Sequence, residues 1–379
     1  MTASALTVLQ IAPTLNGGAV ARATLDAAQA VIAAGGTALV ASPGGDRVPE
    51  LLRRRAVHLE MPPDLHPLWA GLTMPRKLAA SLRHTPLSVI QARSPSAAWI
   101  ARRLAARLGV RWIATLHEPL QDHGVVGRLL ERSQLDAHAV LAVSAHLARQ
   151  VEQRYPACAG RVEGLATGVD LDRFDPALVR ADRLIRLARE LRVPDGSLVV
   201  LCPTRFDSDH GQAVLVEAIE RLANPDVFCL LPGSLGAPTA FERELERRIE
   251  QAGLQGRVQI GPFVEDMPAA YMLADVVVAT GGARQGFSRA LVEAQAMGRP
   301  VVAEDGGGAV ETILPGVTGW LSPAGDADAL AGVLGQALSL AGDRRADLAR
   351  RARDHVRQRF DLGTAAESLL AAYRRLAVA

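Results

Sequence analysis

The chain has 379 residues, nearly half of them hydrophobic, and a formal net charge of +2. This length suits two domains of ordinary size, and the near balance of charge excludes nucleic acid as the main partner. The three cysteines are far apart, and we interpret them as core residues of a reducing cytosol. The N-terminus lacks a signal-peptide pattern, and no apolar run approaches the length of a membrane span. We therefore expect a cytoplasmic protein, with peripheral contact at the inner face of the cytoplasmic membrane left open.

Short apolar runs alternate with amphipathic helical patterns along the chain, as is typical of parallel sheets covered by helices on both faces. A polar stretch at about residues 170–196 separates the two halves. We therefore predict an α/β fold with two Rossmann-like, doubly wound parallel-sheet domains and a ligand in the cleft between them, beyond the carboxyl ends of the strands. The predicted strands are residues 7–11, 38–41, 89–91, 112–115, 139–143, 161–165, 198–202, 228–231, 258–260, 276–279 and 301–303.

A glycine pair, Gly17 and Gly18, follows the first predicted strand and precedes a helical pattern. Without a Cβ atom, such residues let backbone N–H groups come close to a phosphate or a sugar. A tight turn would need the same residues, so the pair by itself leaves both interpretations open.

Two further loops of the first half begin with polar side chains at a strand end. Arg93 and Ser94 follow the strand predicted at residues 89–91, and His117 and Glu118 follow the strand predicted at residues 112–115. A histidine beside an apolar strand is usually a core residue. Here the polar residues of the same loop favour a position of His117 in the cleft.

Residues 275–311 carry the most informative pattern of the chain. An apolar run leads into a polar, glycine-containing loop, and the helical pattern at about residues 287–297 is ended by Gly298 and Pro300. A second apolar run then leads into three glycines, residues 306–308. A strand, a loop and a helix N-terminus in this order predict an anion site, because the first turn of a helix exposes unpaired N–H groups at the positive end of its dipole.

This stretch resembles the nucleotide-sugar site of GT-B glycosyltransferases of the family 4 type, whose signature is two glutamates separated by seven residues. Gln285 stands at the first glutamate and Glu293 at the second, and Glu311 matches a further family position. The resemblance extends over essentially the whole chain. It implies that a sugar is transferred, with retained configuration, from a nucleotide diphosphate donor to a saccharide or lipid-linked acceptor of the cell envelope.

The resemblance also implies roles for residues of the second domain. Arg205 matches the arginine of a family cation pair, and His210 stands where the family has the lysine; the pair would neutralise the diphosphate as the sugar departs. Glu293 would accept hydrogen bonds from the ribose, and Gln285 would contact the sugar at the reaction centre. The other donor-side positions are Gly261 and Phe263 near the base, and Gly286, Phe287, Ser288, Arg289 and Ala290 at the start of the signature helix.

In the first domain, the resemblance implies that His117 orients the donor sugar and that the glycine pair lines the donor site. We place this domain at residues 1–175 and the donor domain at residues 176–360. A terminal helix within residues 361–379 is expected to pack back on the first domain. The acceptor-side residues would be Arg93, Ser94 and Glu118.

Four residues depart from the family pattern at site positions: Ala21, Thr167, His210 and Gln285. Gln285 can form hydrogen bonds with a sugar, but it carries no charge to stabilise a cationic sugar transition state. Two alternatives to an active transferase therefore stay open. One is a nucleotide-sugar-binding homologue that acts as a partner or regulator, and the other is a sugar-nucleotide epimerase with the same architecture.

Asp-x-Asp triplets can hold a divalent metal beside a diphosphate. Such triplets are common by chance, and those of this chain lie in linkers or loops. We therefore expect no metal and no other cofactor, with the nucleotide sugar as a substrate. The triplets are Asp170 with Asp172, Asp207 with Asp209, and Asp326 with Asp328.

Overall fold

The computed structural model describes residues 5–63, 67–120, 124–165, 167–204, 206, 211–233, 237–282 and 286–378. The chain divides into two compact units. The N-terminal unit consists of Met1–Gly168 and Gly363–Ala379, and the C-terminal unit is Val169–Leu362. The first crossing between the units therefore comes a few residues earlier than the boundary that the polar stretch suggested.

Seven parallel strands run through the described part of the N-terminal unit: β1 (Thr7–Ile11), β2 (Thr37–Ser42), β3 (Val57–Glu60), β4 (Val89–Ala92), β5 (Trp112–Leu116), β6 (Ala139–Ala142) and β7 (Val162–Gly164). Their order in the sheet is β3-β2-β1-β4-β5-β6-β7. The order runs outward from β1 in both directions, which is the doubly wound arrangement that the sequence predicted.

A second parallel sheet forms the centre of the C-terminal unit. Its described strands are β8 (Leu198–Leu201), β9 (Val227–Pro232), β10 (Val258–Gly261), β11 (Val276–Ala279), β12 (Val301–Glu304) and β13 (Gly319–Ser322). They lie in the order β10-β9-β8-β11-β12-β13, again wound in both directions from the first strand. The predicted fold class is therefore confirmed.

Helices connect the strands in both units. They are α1 (Ala19–Ala33), α2 (Val48–Arg53), α3 (Pro67–Ser81), α4 (Pro95–Leu108), α5 (Gly124–Leu135), α6 (Ala145–Arg154), α7 (Ala181–Glu190), α8 (Gln212–Leu222), α9 (Ala240–Gln251), α10 (Met267–Leu273), α11 (Arg289–Ala296), α12 (Ala309–Thr312), α13 (Ala327–Leu338), α14 (Gly342–Arg359) and α15 (Leu362–Val378). Within the described ranges, none of these helices has the length and apolar character needed to cross a bilayer.

The C-terminal sheet is buried on both faces. Val277 and Ala279 of β11 belong to a core cluster with residues of α7, α10, α11 and α14. Val276 and Val278, which point to the opposite face, belong to a cluster with residues of α8, α9 and α13. Burial of both faces explains why this strand is a continuous apolar run in the sequence.

Helix α15 belongs to the N-terminal unit, where Leu369, Leu370 and Tyr373 share a core cluster with β1, β2 and α1. The Tyr373 hydroxyl donates a hydrogen bond to Oε1 of Gln91 on β4 over 2.5 Å. Burial raises the pKa of Tyr373 to about 12, so the hydroxyl keeps its proton at neutral pH. A polar contact inside the core therefore fixes the terminal helix to the sheet.

The two ends of the C-terminal unit are hydrogen-bonded to each other. The N–H of Val169 donates to the carbonyl of Phe360 over 2.8 Å, and the N–H of Leu362 donates to the carbonyl of Val169 over 3.1 Å. The chain thus enters and leaves this unit at adjacent positions.

We predict that Tyr373→Phe lowers the free energy of unfolding by about 1–2 kcal/mol, because it removes a buried donor and leaves Gln91 with one partner fewer. The loss is measured by denaturant titration. Tyr155→Phe, at a half-buried tyrosine of the same unit, is the matched control and is expected to change the stability by less. Equal effects of the two changes would contradict a role for the Tyr373–Gln91 contact.

Candidate functional site

Three loops of the C-terminal unit leave neighbouring strands at their carboxyl ends, the edge where parallel sheets bind ligands. They follow β8, β11 and β12. The loop after β11 leads into α11, the helix of the signature stretch, which begins at Arg289 with Ser288 as its N-cap. The topology therefore brings the sequence-predicted anion loop beside the loop after β8, which precedes α8.

Glycines allow these loops to approach within backbone contact. Gly211, the N-cap of α8, has a φ of +68°, and a Cβ atom there would lie 2.8 Å from the backbone nitrogen of Gly281. A Cβ atom on Gly308 would lie 2.4 Å from the carbonyl oxygen of Gly286. Any larger residue would separate the loops, so the three segments form one surface.

Glu304, which the sequence analysis did not single out, joins the same loops electrostatically. It ends β12 with 3% exposure, and its Oε2 accepts hydrogen bonds from the N–H groups of Gly281 at 2.5 Å and Gly282 at 3.2 Å. Its Oε1 accepts from the N–H of Gly325 at 2.8 Å. A buried carboxylate that accepts three backbone bonds is strongly held. An acidic residue at the end of an apolar strand was the available signal.

The N-terminus of α11 carries the features of an anion site. Ser288 is buried and makes no side-chain capping bond, and the first turn contains no acidic residue. The N–H groups of Ser288, Arg289 and Ala290 therefore lie at the positive end of the helix dipole without a carboxylate beside them in that turn. The role of these three residues in binding the donor stays a prediction.

Glu293 lies on the same helix, little more than one turn further along, and is half-buried. Its Oε2 accepts a hydrogen bond of 2.9 Å from the hydroxyl of Tyr271 on α10. Burial, and next the Glu293 carboxylate itself, hold the pKa of Tyr271 well above its usual range. The hydroxyl is therefore protonated and acts as the donor in this pair.

The two residues expected near the base lie at the carboxyl end of β10 and just beyond it. Gly261 ends the strand, and its carbonyl oxygen accepts a hydrogen bond of 2.9 Å from the N–H of Gly233, which follows β9. Phe263 is 45% exposed, so its ring is available for stacking with a base. Phe287, before α11, packs against Phe360 with a centroid distance of 5.8 Å and is held within the unit.

Three of the predicted site residues, Arg205, His210 and Gln285, lie outside the residues that the structure describes. Their roles stay predictions. Three described residues that flank them in the sequence, Gly211, Gly282 and Gly286, belong to the surface formed by the loops after β8, β11 and β12.

In the N-terminal unit, the glycine pair begins a helix. Gly18 is the N-cap of α1 with no side-chain capping bond, and the first turn of α1 has no acidic residue. Arg22, one turn further, forms ion pairs with Asp26 at 3.2 Å and Glu50 at 3.3 Å. The helix N-terminus is thus suited to an anion, whereas the arginine is engaged with carboxylates of its own unit.

Two neighbouring strands of this unit, β4 and β5, end at the other predicted residues. His117 follows β5 and is half-buried, and the next residue, Glu118, is exposed. Ser94 is the N-cap of α4, and its Oγ accepts a hydrogen bond of 3.1 Å from the N–H of Ala97. The hydroxyl of Ser94 thus has a structural role.

Arg93 differs from the expectation that it faces an acceptor. Its side chain is 4% exposed, and it donates to Oε1 of Gln10 over 2.8 Å and to Oε1 of Gln91 over 3.1 Å. Burial lowers the pKa of its guanidinium. Arg93 therefore belongs to the internal network that also binds Tyr373, because two buried amide oxygens attract the guanidinium inward.

The aspartate triplets that the structure describes are engaged in local contacts. Asp170 accepts from the N–H groups of Asp172 and Arg173 at 3.1 and 3.0 Å. Asp326 caps α13 through the N–H of Ala329 at 2.9 Å, and Asp328 forms an ion pair with Arg221 at 3.0 Å. Asp207 and Asp209 lie outside the described residues.

Comparison with known proteins identifies the two halves of the chain. The family model for glycosyl transferases group 1 matches residues 186–355, and the model for glycosyltransferase family 4 matches residues 17–173. A D-inositol 3-phosphate glycosyltransferase of Xylanimonas cellulosilytica is 35% identical over 296 residues, which cover 74% of this chain and 69% of the relative. A GDP-mannose-dependent alpha-(1-6)-phosphatidylinositol monomannoside mannosyltransferase of Mycolicibacterium smegmatis is 32% identical over 256 residues, which are 63% of each chain.

Solved structures agree with this assignment. A glycosyltransferase from Rickettsia africae has a TM-score of 0.87 and 27% identity, and the match covers 98% of this chain and 99% of that chain. The Anabaena protein HepE, solved with UDP-glucose, has a TM-score of 0.84 at 22% identity over 98% and 100% of the two chains, and this likeness bears on the fold alone. The protein is therefore a glycosyltransferase and belongs to the GT-B family whose members carry the family 4 and group 1 domains.

Proposed function

We propose that this glycosyltransferase moves a sugar from a nucleoside diphosphate sugar to a saccharide or lipid-linked acceptor of the cell envelope, with retention of configuration at the anomeric carbon. The observation that carries the proposal is the N-terminus of α11, which has no acidic residue in its first turn and presents Glu293 beyond it. A helix N-terminus without an acidic residue in its first turn suits a diphosphate, and a nearby carboxylate suits ribose hydroxyls. A relative that is named as GDP-mannose-dependent supports a donor of this class.

The leaving diphosphate would be bound by the N–H groups of Ser288, Arg289 and Ala290, together with the cations of Arg205 and His210. These groups stabilise the charge that develops as the bond to the sugar breaks. Such electrostatic stabilisation is usually the largest single contribution to the rate enhancement of an enzyme. Arg205 is charged at any pH, and a bound phosphate would raise the pKa of His210. In this proposal the protein's own cations act on the diphosphate, and no metal is needed.

Residues of the N-terminal unit would bind the rest of the substrates. His117 would orient the donor sugar, with the glycine pair at the N-terminus of α1 beside it. Glu118 would bind the acceptor, next to Ser94. A lipid-linked acceptor would bring the reaction to the inner face of the cytoplasmic membrane, with the donor supplied from the cytoplasm.

Donor turnover tests the proposal. Purified protein is incubated with UDP-, GDP- and ADP-sugars, with and without saccharide and inositol-containing acceptors, and the released nucleotide is quantified. We expect release with one donor class, and NMR of the product should show the anomeric configuration of the donor. Binding of donor without release across the panel would contradict the transfer activity. Conversion of the donor to an epimer without any acceptor would also contradict the transfer activity, and it would indicate a sugar-nucleotide epimerase instead.

Gln285→Glu is expected to raise kcat about tenfold, because a carboxylate adds negative charge beside a cationic sugar transition state. The control is Gln336→Glu, which makes the same change of charge at an exposed position of α13. Turnover is measured at saturating donor. A kcat that does not rise, with unchanged thermal stability, would show that position 285 does not act on the transition state.

Glu304→Gln should raise the donor KM and lower the free energy of unfolding by about 1–3 kcal/mol. Glu304 accepts through both oxygens, whereas a glutamine amide would place an NH2 group against a backbone N–H of Gly325 or of the 281–282 pair. Glu250→Gln, at an exposed position of α9, is the control. Unchanged stability and KM would mean that the three contacts do not hold the loops.

A further inference from the structure

Tyr271 places a polar atom inside the core of the C-terminal unit. Its side chain is 1% exposed, and its ring packs against Phe174 with a centroid distance of 6.1 Å. A phenylalanine would fill the same space without burying a hydroxyl, and an unpaired buried hydroxyl is unfavourable. The hydroxyl is instead paired with the carboxylate of Glu293, a residue that the proposed function assigns to the ribose.

Helix α10 holds Tyr271 firmly. Its N-cap, Asp266, accepts a hydrogen bond of 3.2 Å from the N–H of Ala269. The Asp266 carboxylate also accepts two bonds from the guanidinium of Arg183 on α7, at 3.0 and 2.6 Å. The backbone that carries Tyr271 is therefore fixed at both the helix start and the core, and the hydroxyl has little freedom to move away from Glu293.

A glutamate side chain on a helix surface has several rotamers, and a ligand that needs one of them must select it on binding. One hydrogen bond from a rigid donor selects the rotamer before the ligand arrives. A carboxylate can accept about four hydrogen bonds, so the bond from Tyr271 by itself does not prevent Glu293 from accepting others. Arg289 and Arg173 lie near enough to act electrostatically on the same hydroxyl, which adds positive charge around the pair.

We propose that Tyr271 is a positioning residue, whose hydroxyl holds the Glu293 carboxylate in the orientation that accepts hydrogen bonds from the ribose of the donor. This inference rests on the proposed function, because it requires a nucleotide in the site. It assigns to a residue of α10, outside the signature stretch, a share in distinguishing ribose from sugars that lack its hydroxyls.

Nucleotide affinity tests the inference. Dissociation constants are measured by calorimetry for UDP or GDP, whichever binds the wild type more tightly, and for its 2′,3′-dideoxy analogue. We expect Tyr271→Phe to reduce the preference for the ribose form about three- to tenfold while the affinity for the analogue stays unchanged. In a Glu293→Ala background, the Tyr271→Phe change should have no further effect. For the full reaction, the donor KM should rise with kcat nearly unchanged.

Tyr373→Phe, which removes a buried tyrosine hydroxyl in the other unit, is the matched control and should leave the preference unchanged. The preference is a ratio of two affinities, so a reduced folded fraction cancels from it. Two outcomes would overturn the role of Tyr271 but not that of Glu293. One is an equal loss of affinity for both nucleotides in Tyr271→Phe. The other is a preference for the ribose form that Tyr271→Phe leaves unchanged and Glu293→Ala abolishes. A wild type with no ribose preference would overturn the assignment of Glu293, and the inference with it.

Discussion

Direct backbone contacts between loops hold together the carboxyl-end edge of the sheet in the C-terminal unit, where the candidate site lies. Such contacts are possible only at glycine, whose side chain is a single hydrogen. Gly211 meets the loop after β11, and Gly308 meets the carbonyl of Gly286. The Glu304 carboxylate then binds the N–H groups of that same loop. Since the loops are joined to one another, the first turn of α11 is held in place before a ligand binds. Preorganised dipoles of this kind do not have to reorient as charge develops.

Most of the strands that the sequence predicted are buried on both faces and appear as continuous apolar runs, although β7 and β10, which it also predicted, lie at sheet edges. The two strands that were missed, β3 and β13, lie at sheet edges. Val57 of β3 is 46% exposed. Strand β13 begins with Gly319, where a Cβ atom would lie 2.4 Å from the carbonyl oxygen of Val301. Edge strands need fewer apolar residues, and a glycine at a close contact resembles a turn signal. The sequence of helix α7 was interpreted as part of the linker, because the helix is mostly polar. Of its described residues, only Leu187 is buried.

For the candidate site, features formed by contiguous residues could be predicted from the sequence, whereas contacts between distant residues could not. The anion-binding turn of α11 could be predicted because its loop, cap and helix are contiguous in the sequence. The partners of its residues could not. Tyr271 is 22 residues from Glu293, and Glu304 is 23 residues from Gly281. Arg93 looked like a ligand-facing cation at a strand end, but Gln10, 83 residues away, draws it into the core. The hydrophobic periodicity of a sequence predicts which face of a helix or strand is apolar. It does not predict which polar side chains from distant segments form hydrogen bonds with each other.

The paired ends of the C-terminal unit at Val169 and Leu362 make this unit an insertion within the chain of the other. Helix α15 is therefore synthesised after the whole inserted unit. Until then Leu369, Leu370 and Tyr373 are missing from the core cluster of the N-terminal unit, and Gln91 lacks the hydrogen bond from the Tyr373 hydroxyl. During synthesis on the ribosome, the C-terminal unit can therefore complete its core before the N-terminal unit does. The core of the N-terminal unit is complete only after α15 has been synthesised.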